Sequence, residues 1–134
     1  MKQIEFKKTE YHLENGEVFY EIGVDRESLD KDIFSLSYIN WHGWTVEEAQ
    51  MIIDESLKLI DKEIYDYVVP GTELTISVDK DYVYFFDWRT PQEEENFSWT
   101  FDEFIDFMEK FKDFISQNNS TNNEPIRNTR IFFK

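Results

Sequence analysis

The chain has 134 residues, of which 40% are hydrophobic and 18% are aromatic, enough apolar material for the core of one compact domain. It carries 14 Lys and Arg against 29 Asp and Glu, a formal charge of −15, which argues against the clustered basic residues that bind nucleic acid or anionic membranes. It has no cysteine, which excludes disulfides, thiolate nucleophiles and Cys-ligated metals.

The first predicted element is a β-hairpin around Asn15-Gly16. Asn and Gly tolerate the positive φ angles that a type I′ turn demands, so we expect strands near 3–13 and 17–24. Apolar residues alternate with small hydroxyl residues over 33–39, and this pattern predicts a third strand.

A helical period begins at Thr45. Apolar residues then recur at spacings of three and four as far as Ile64, which predicts an amphipathic helix over about 45–67, ended by Pro70. Strict alternation over 73–79 and an apolar run over 82–88, joined by a short turn, predict a second hairpin. The continuous run indicates that its second strand is buried on both faces.

A wide apolar stripe predicts a second helix over about 100–116. Each predicted helix starts at a threonine, Thr45 or Thr100, that is followed three residues later by glutamate, which is the pattern of a capping box. After this helix the chain becomes polar and non-periodic, and 126–134 is apolar and basic. That terminal segment either docks as an edge strand or remains a free arm.

Together these elements predict one α+β domain over 1–117, in the order ββ(β)-α-ββ-α. A mainly antiparallel sheet of about five strands packs against two amphipathic helices in this prediction. Residues 118–134 form a polar linker and a short apolar-basic C-terminal segment. The start of the chain lacks the unbroken apolar stretch of a secretory signal, and no segment is long and apolar enough to span a membrane, so we expect a cytoplasmic protein.

The sequence contains few candidate catalytic residues. The only histidines are His12 and His42, and the four glycines are too isolated to form a phosphate-binding loop. We therefore predict no enzyme activity, no cofactor and no metal. The loop Trp41-His42-Gly43-Trp44 flanks an imidazole with two indoles, which suits either a binding pocket or the closure of one end of the core.

Negative charge is concentrated on the second helix and just before it. Four carboxylates spaced four, three and four residues apart share one stripe of this helix, although a stripe opposite an apolar face is also what simple solvation produces. A net charge of −15 exceeds the magnitude of about 2–8 that keeps a small domain soluble, which favours a binding role. The predicted partner-binding residues are Asp102, Asp106, Glu109, Asp113, Glu103, Glu93, Glu94, Glu95, Trp41, His42 and Trp44.

A small, acidic, cysteine-free α+β chain rich in Trp, Tyr and Phe resembles, as a class, the immunity proteins of bacterial polymorphic and contact-dependent toxin systems. The resemblance covers 1–117 and contains no diagnostic motif. It implies a non-catalytic inhibitor that binds a basic partner, such as a cognate nuclease-type toxin, in the cytoplasm. Two alternatives remain: a nucleic-acid mimic that inhibits a DNA- or RNA-binding defence enzyme, and a small-ligand-binding domain built on the Trp41–Trp44 loop.

Overall fold

The first hairpin pairs β1 (Ile4–His12) with β2 (Val18–Val24) in an antiparallel ladder. The structure is a computed structural model that describes residues 3–87, 96–118 and 132–133. The predicted hairpin is confirmed, but its turn is not type I′, because Asn15 does not take a positive φ. Gly16 alone does, at 89°, and Leu13 N–H donates to the Glu17 carbonyl at 2.8 Å. The loop is therefore longer than the two-residue type I′ turn, and it belongs to the class of hairpin loops that place a glycine in the left-handed region.

The strand predicted over 33–39 is wrong, because the chain forms a 3-10 segment, Lys31–Ile39, with a break at Ile33. Leu36 and Ile39 are buried and Ile33 packs against the core. These three residues are three apart, which is the period that brings side chains to one face of a 3-10 helix. The alternation with serine imitated a strand because two- and three-residue periods overlap over so short a run.

The first helix is shorter than predicted. α1 (Val46–Leu57) ends ten residues before the predicted limit, and the chain then turns through Asp61, whose φ is 51°, into β3 (Tyr65–Val68). Ile60 and Ile64 continue the helical period but are exposed, so they do not contribute to the core. The prediction of helix over 58–67 is therefore wrong.

The second sheet has the order β3-β4-β5-β6 and is antiparallel throughout, with β4 at Thr75–Val78, β5 at Tyr82–Phe86 and β6 at Phe97–Thr100. β4 and β5 confirm the second hairpin, whereas β3 and β6 were not predicted. Val83 and Phe85 are buried, but Tyr82 is exposed and Tyr84 partly so. The expectation that 82–88 is buried on both faces is therefore wrong for the described part of the run.

Helix α2 (Phe101–Gln117) joins the two sheets and confirms the second predicted helix to within a residue. Its buried face is rich in phenylalanine. The Phe6 ring of β1 lies 5.3 Å from the rings of Phe107 and Phe111, while Trp99 of β6 lies 5.0 Å from Phe107. A single core therefore unites the elements, and the α+β fold is confirmed.

Two contacts tie the end of α2 and the strand β7 to β1. Lys8 is buried and its Nζ donates to the Asn118 carbonyl at 2.8 Å, where a cation is favoured by the negative end of the α2 dipole. β7 (Phe132–Phe133) pairs antiparallel with Ile4 and Glu5, so these two C-terminal residues form an edge strand rather than a free arm. The first sheet thus has the order β2-β1-β7.

Candidate interaction surface

The predicted carboxylate stripe lies on the solvent-facing side of α2. Asp102, Asp106 and Asp113 are exposed and Glu109 partly so, opposite the buried phenylalanines. Two of the four are ion-paired within the helix, Asp106 with Lys110 and Glu109 with Lys112, each at 2.9 Å. Such exposed pairs are weak and easily exchanged for an external cation, so all four carboxylates are accessible to a partner.

Glu103 has a local structural role. Its Oε1 accepts from Thr100 N–H and from the Thr100 hydroxyl, each at 3.0 Å, and its own N–H donates back to that hydroxyl at 3.2 Å. This completes the capping box predicted at the start of α2. At the start of α1 the Thr45 hydroxyl accepts from Glu48 N–H at 3.0 Å. The Glu103 carboxylate is committed to this cap and is a poorer contact residue than the other four.

Helix α1 adds a second acidic row that the sequence reading did not include. It carries four carboxylates and no basic residue. Lys112 of α2 donates to Gln50 of α1 at 2.7 Å, and Gln50 donates to Asp54 at 2.8 Å, so the two rows are adjacent. Glu47 and Asp54 are exposed beside a shallow depression of about 420 Å³.

We call this combined surface the helical acidic face. It consists of Asp102, Asp106, Glu109 and Asp113 of α2 with Glu47 and Asp54 of α1. The sequence signal for its α1 half was the presence of four carboxylates and no Lys or Arg over 46–57. The packing of α1 on α2, which brings the two halves together, had no local signal.

The two tryptophans of the Trp41–Trp44 loop have different environments. Trp44 is only 5% exposed, donates from Nε1 to the Ile39 carbonyl at 2.7 Å, and packs edge-on against Phe111 with ring centroids 5.0 Å apart. It belongs to the core, so its prediction as a surface contact is wrong. Trp41 is half-buried, and its backbone bridges to Ile22 of β2 through two hydrogen bonds of 3.0 Å.

His42 is exposed and lies beside the first hairpin. Its ring centroid is 6.2 Å from that of Phe19, which stacks on Tyr11 at 5.0 Å. The Tyr11 hydroxyl donates to Glu21 at 3.2 Å, and burial, followed by the charge of Glu21, raises the pKa of this phenol. Tyr11 and Phe19 are partly exposed aromatic residues that the sequence reading did not single out, since only their cross-strand pairing brings them next to His42.

A polar depression of about 270 Å³ lies along the first hairpin, lined by Tyr11 and by residues of both charges such as Lys7, Glu21 and Arg26. Neither this depression nor the one on α1 is lined by His42 or by either tryptophan of the loop. The small-ligand alternative, which requires a pocket beside His42, gains no support from them.

Glu93, Glu94 and Glu95 lie outside the described residues. Within 3–87 and 96–118, no three His, Asp or Glu side chains converge in a way that could hold a metal ion. Among the helices that the structure describes, none combines the length and hydropathy needed to cross a membrane.

No protein-family model matches the chain, and comparisons with curated proteins and with solved structures find no significant match. Function must therefore be inferred from the charge, exposure and contacts of the chain itself.

Proposed function

We propose that this chain is a non-catalytic inhibitor that binds and neutralises a basic protein partner, such as a nuclease-type bacterial toxin, in the cytoplasm. The observation that carries the proposal is the helical acidic face, where carboxylates of two adjacent helices lie exposed or partly exposed on one surface. A field of this sign speeds the approach of a basic protein and disfavours acidic competitors. Tyr11, Phe19 and Trp41 supply partly exposed rings of the type that anchors interfaces.

The test starts from partners that the chain captures from its native cell at about 0.5 M salt, where weak exposed ion pairs are screened. A captured basic protein is expressed separately, and its dissociation constant and the inhibition of its activity are measured. The face variant carries Asp106→Lys, Glu109→Lys and Asp113→Lys. Asp102 is left unchanged because a carboxylate in the first turn stabilises the helix.

A matched control carries Glu14→Lys, Asp32→Lys and Glu73→Lys, three exposed carboxylates outside α1 and α2. Both variants undergo the same change in net charge, so long-range attraction weakens equally in both. We expect the face variant to bind at least about tenfold more weakly than the control, because reversed contact charges repel the partner directly. Equal weakening would show that the helical acidic face is not the contact surface, and the absence of any basic partner would refute the proposal.

The nucleic-acid-mimic alternative is favoured by one observation: the stripe carboxylates recur at about one helical turn, near the spacing of backbone phosphates. Lys110 and Lys112 interrupt that anionic row, which makes it a poorer imitation of a nucleic-acid strand. A mimic would bind several unrelated nucleic-acid-binding proteins with a steep dependence on salt. An inhibitor of one partner would bind that partner alone and would retain it at raised salt.

A further inference from the structure

Strand β3 (Tyr65–Val68) forms one edge of the second sheet. Val69 N–H donates to the Leu74 carbonyl at 2.9 Å, so the backbone of Val69 faces β4. In an antiparallel pair, every second residue along a strand directs its backbone N–H and C=O toward the partner strand. The backbone groups of Tyr65 and Tyr67 therefore face β4, while those of Asp66 and Val68 point away from the sheet. In the part of the chain that the structure describes, no strand lies on that side.

Two of the three exposed side chains on one face of this edge are apolar. Ile64, Asp66 and Val68 fall on the same face because side chains alternate along a strand. Ile64 is 63% exposed and Val68 is 49% exposed, although both side chains are large and apolar. Proteins usually protect an open edge with charge, proline or a covering segment, and here a single charge, Asp66, lies between two exposed apolar side chains.

The opposite face of β3 lies against α1 and its carboxylates. The Tyr67 hydroxyl donates to Glu48 at 2.7 Å, and the charges of Glu55 and Glu48 help to raise the pKa of Tyr65 after burial. Glu55 is partly exposed and pairs with Lys58 at 3.3 Å. A strand added beside β3 would therefore meet carboxylates on both faces, Asp66 on one and the Glu48–Glu55 row on the other.

We propose that β3 binds an extended segment of a basic protein, which adds to the sheet as a fifth strand through the backbone groups of Asp66 and Val68. On the face shared with Ile64, the segment carries an apolar residue, a Lys or Arg opposite Asp66, and a second apolar residue opposite Val68. This inference takes from the proposed function only that the partner is basic; the site itself is argued from the β3 edge. A second copy of the chain is disfavoured as occupant, because two chains of −15 would repel each other.

The probe is a capped seven-residue synthetic peptide with valine, arginine and valine at alternate positions and threonine elsewhere. Its binding to the full chain is followed through the backbone amide signals of Asp66 and Val68 by NMR, up to about 1 mM peptide. We expect these two amides to shift more than those of β6, the other edge of the same sheet. Glutamate in place of the central arginine should weaken binding by about tenfold or more.

Two variants and two methylated peptides test the backbone pairing. Val68→Pro removes an amide that points away from β4 and should abolish binding without breaking the native ladder, whereas Val68→Thr keeps the amide and should bind within about twofold of the native chain. Successive backbone N–H groups of an extended peptide point to opposite edges of its strand. N-methylation at the even positions therefore blocks one edge, and N-methylation at the odd positions blocks the other. We expect one of these two peptides to lose binding and the other to retain it, a result that does not depend on the folding of any variant.

The proposal is overturned if the Asp66 and Val68 amides do not shift, or if both methylated peptides bind or both fail. It is also overturned if sedimentation shows that the chain alone pairs through β3 as a dimer that Val68→Pro dissociates. The face variant and its matched control, which carry the same net charge, should bind the peptide equally well. Failure of the peptide therefore refutes strand addition and leaves binding through the helical acidic face intact.

Discussion

Replacement of Trp44 by phenylalanine should destabilise the fold, because this indole is part of the core rather than a surface contact. The change removes the N–H that donates to the buried Ile39 carbonyl at 2.7 Å. It also shortens a ring that contacts Phe111, Trp41 and Tyr67 at centroid distances of 5.0, 5.4 and 6.0 Å. Phenylalanine preserves an apolar ring, so the variant should still fold.

The magnitude follows from these two losses. Leaving the carbonyl without its donor costs about 1–3 kcal/mol. The smaller ring buries roughly 40 Å² less apolar surface, which costs about 1 kcal/mol. We therefore expect the free energy of unfolding to fall by about 2–4 kcal/mol. For a chain of this length that corresponds to a decrease in Tm of about 7–14 °C.

Urea and thermal unfolding, followed by circular dichroism, measure the change, and unaltered m values establish that the same surface is exposed on unfolding. Trp41→Phe and His42→Ala are the matched controls from the same loop. Trp41 is half-buried and His42 exposed, so their substitutions should cost less than about 1.5 and 0.5 kcal/mol respectively. A Trp44→Phe variant as stable as native that has lost partner binding would refute the assignment of Trp44 to the core.

Three other changes test the fold around the candidate surface. Thr100→Ala removes the side-chain cap of α2 and should lower the free energy of unfolding by about 1 kcal/mol in urea titrations, whereas Thr100→Ser should be close to native. In Gly23→Ala the added methyl group overlaps the Asn40 side chain, which accepts from Val24 N–H at 2.7 Å, and it also meets the Asn40 backbone Cα. We expect the free energy of unfolding to fall by about 1–3 kcal/mol. Because Asn40→Ala removes the overlapping side chain but not the Cα, the Gly23→Ala/Asn40→Ala double variant should lose less than the sum of the two single losses. Burial and the hydrogen bond to a carboxylate raise the pKa of Tyr67 above its ordinary value of 10.0, so the folded chain holds this proton to higher pH than the unfolded chain. Stability should therefore fall as pH rises above 10.0, and Tyr67→Phe should reduce that fall in urea titrations; an identical slope in the variant would contradict the assignment.

The elements predicted well are those with a complete local signal. α2 has a capping box, Thr100 with Glu103, and an apolar face along its full length, and its predicted limits differ from the observed ones by about one residue. The first hairpin has glycine at the turn position that needs positive φ. In both cases neighbouring residues specify the conformation, so no distant contact is needed to choose it.

The elements predicted wrongly lack such a signal at one end. α1 has a good N-cap at Thr45 but no stop signal at Leu57, and Ile60 and Ile64 extended the apparent period past the true end. β6 is four residues long and precedes a helix directly, so its pairing with β5 identifies it as a strand. Short segments adopt the backbone that their neighbours in space can pair with, and tertiary context overrides their weak propensity.

The sequence by itself determined the α+β class, the charge of the surface and the carboxylate stripe of α2, because composition and helical spacing are local properties. Only the tertiary structure decided that Trp44 is buried, that α1 adds its carboxylates to those of α2, and that β3 ends a sheet. Each of these features depends on contacts between residues that are distant in the chain. No local sequence pattern specifies such contacts, because they form only when whole elements pack against one another.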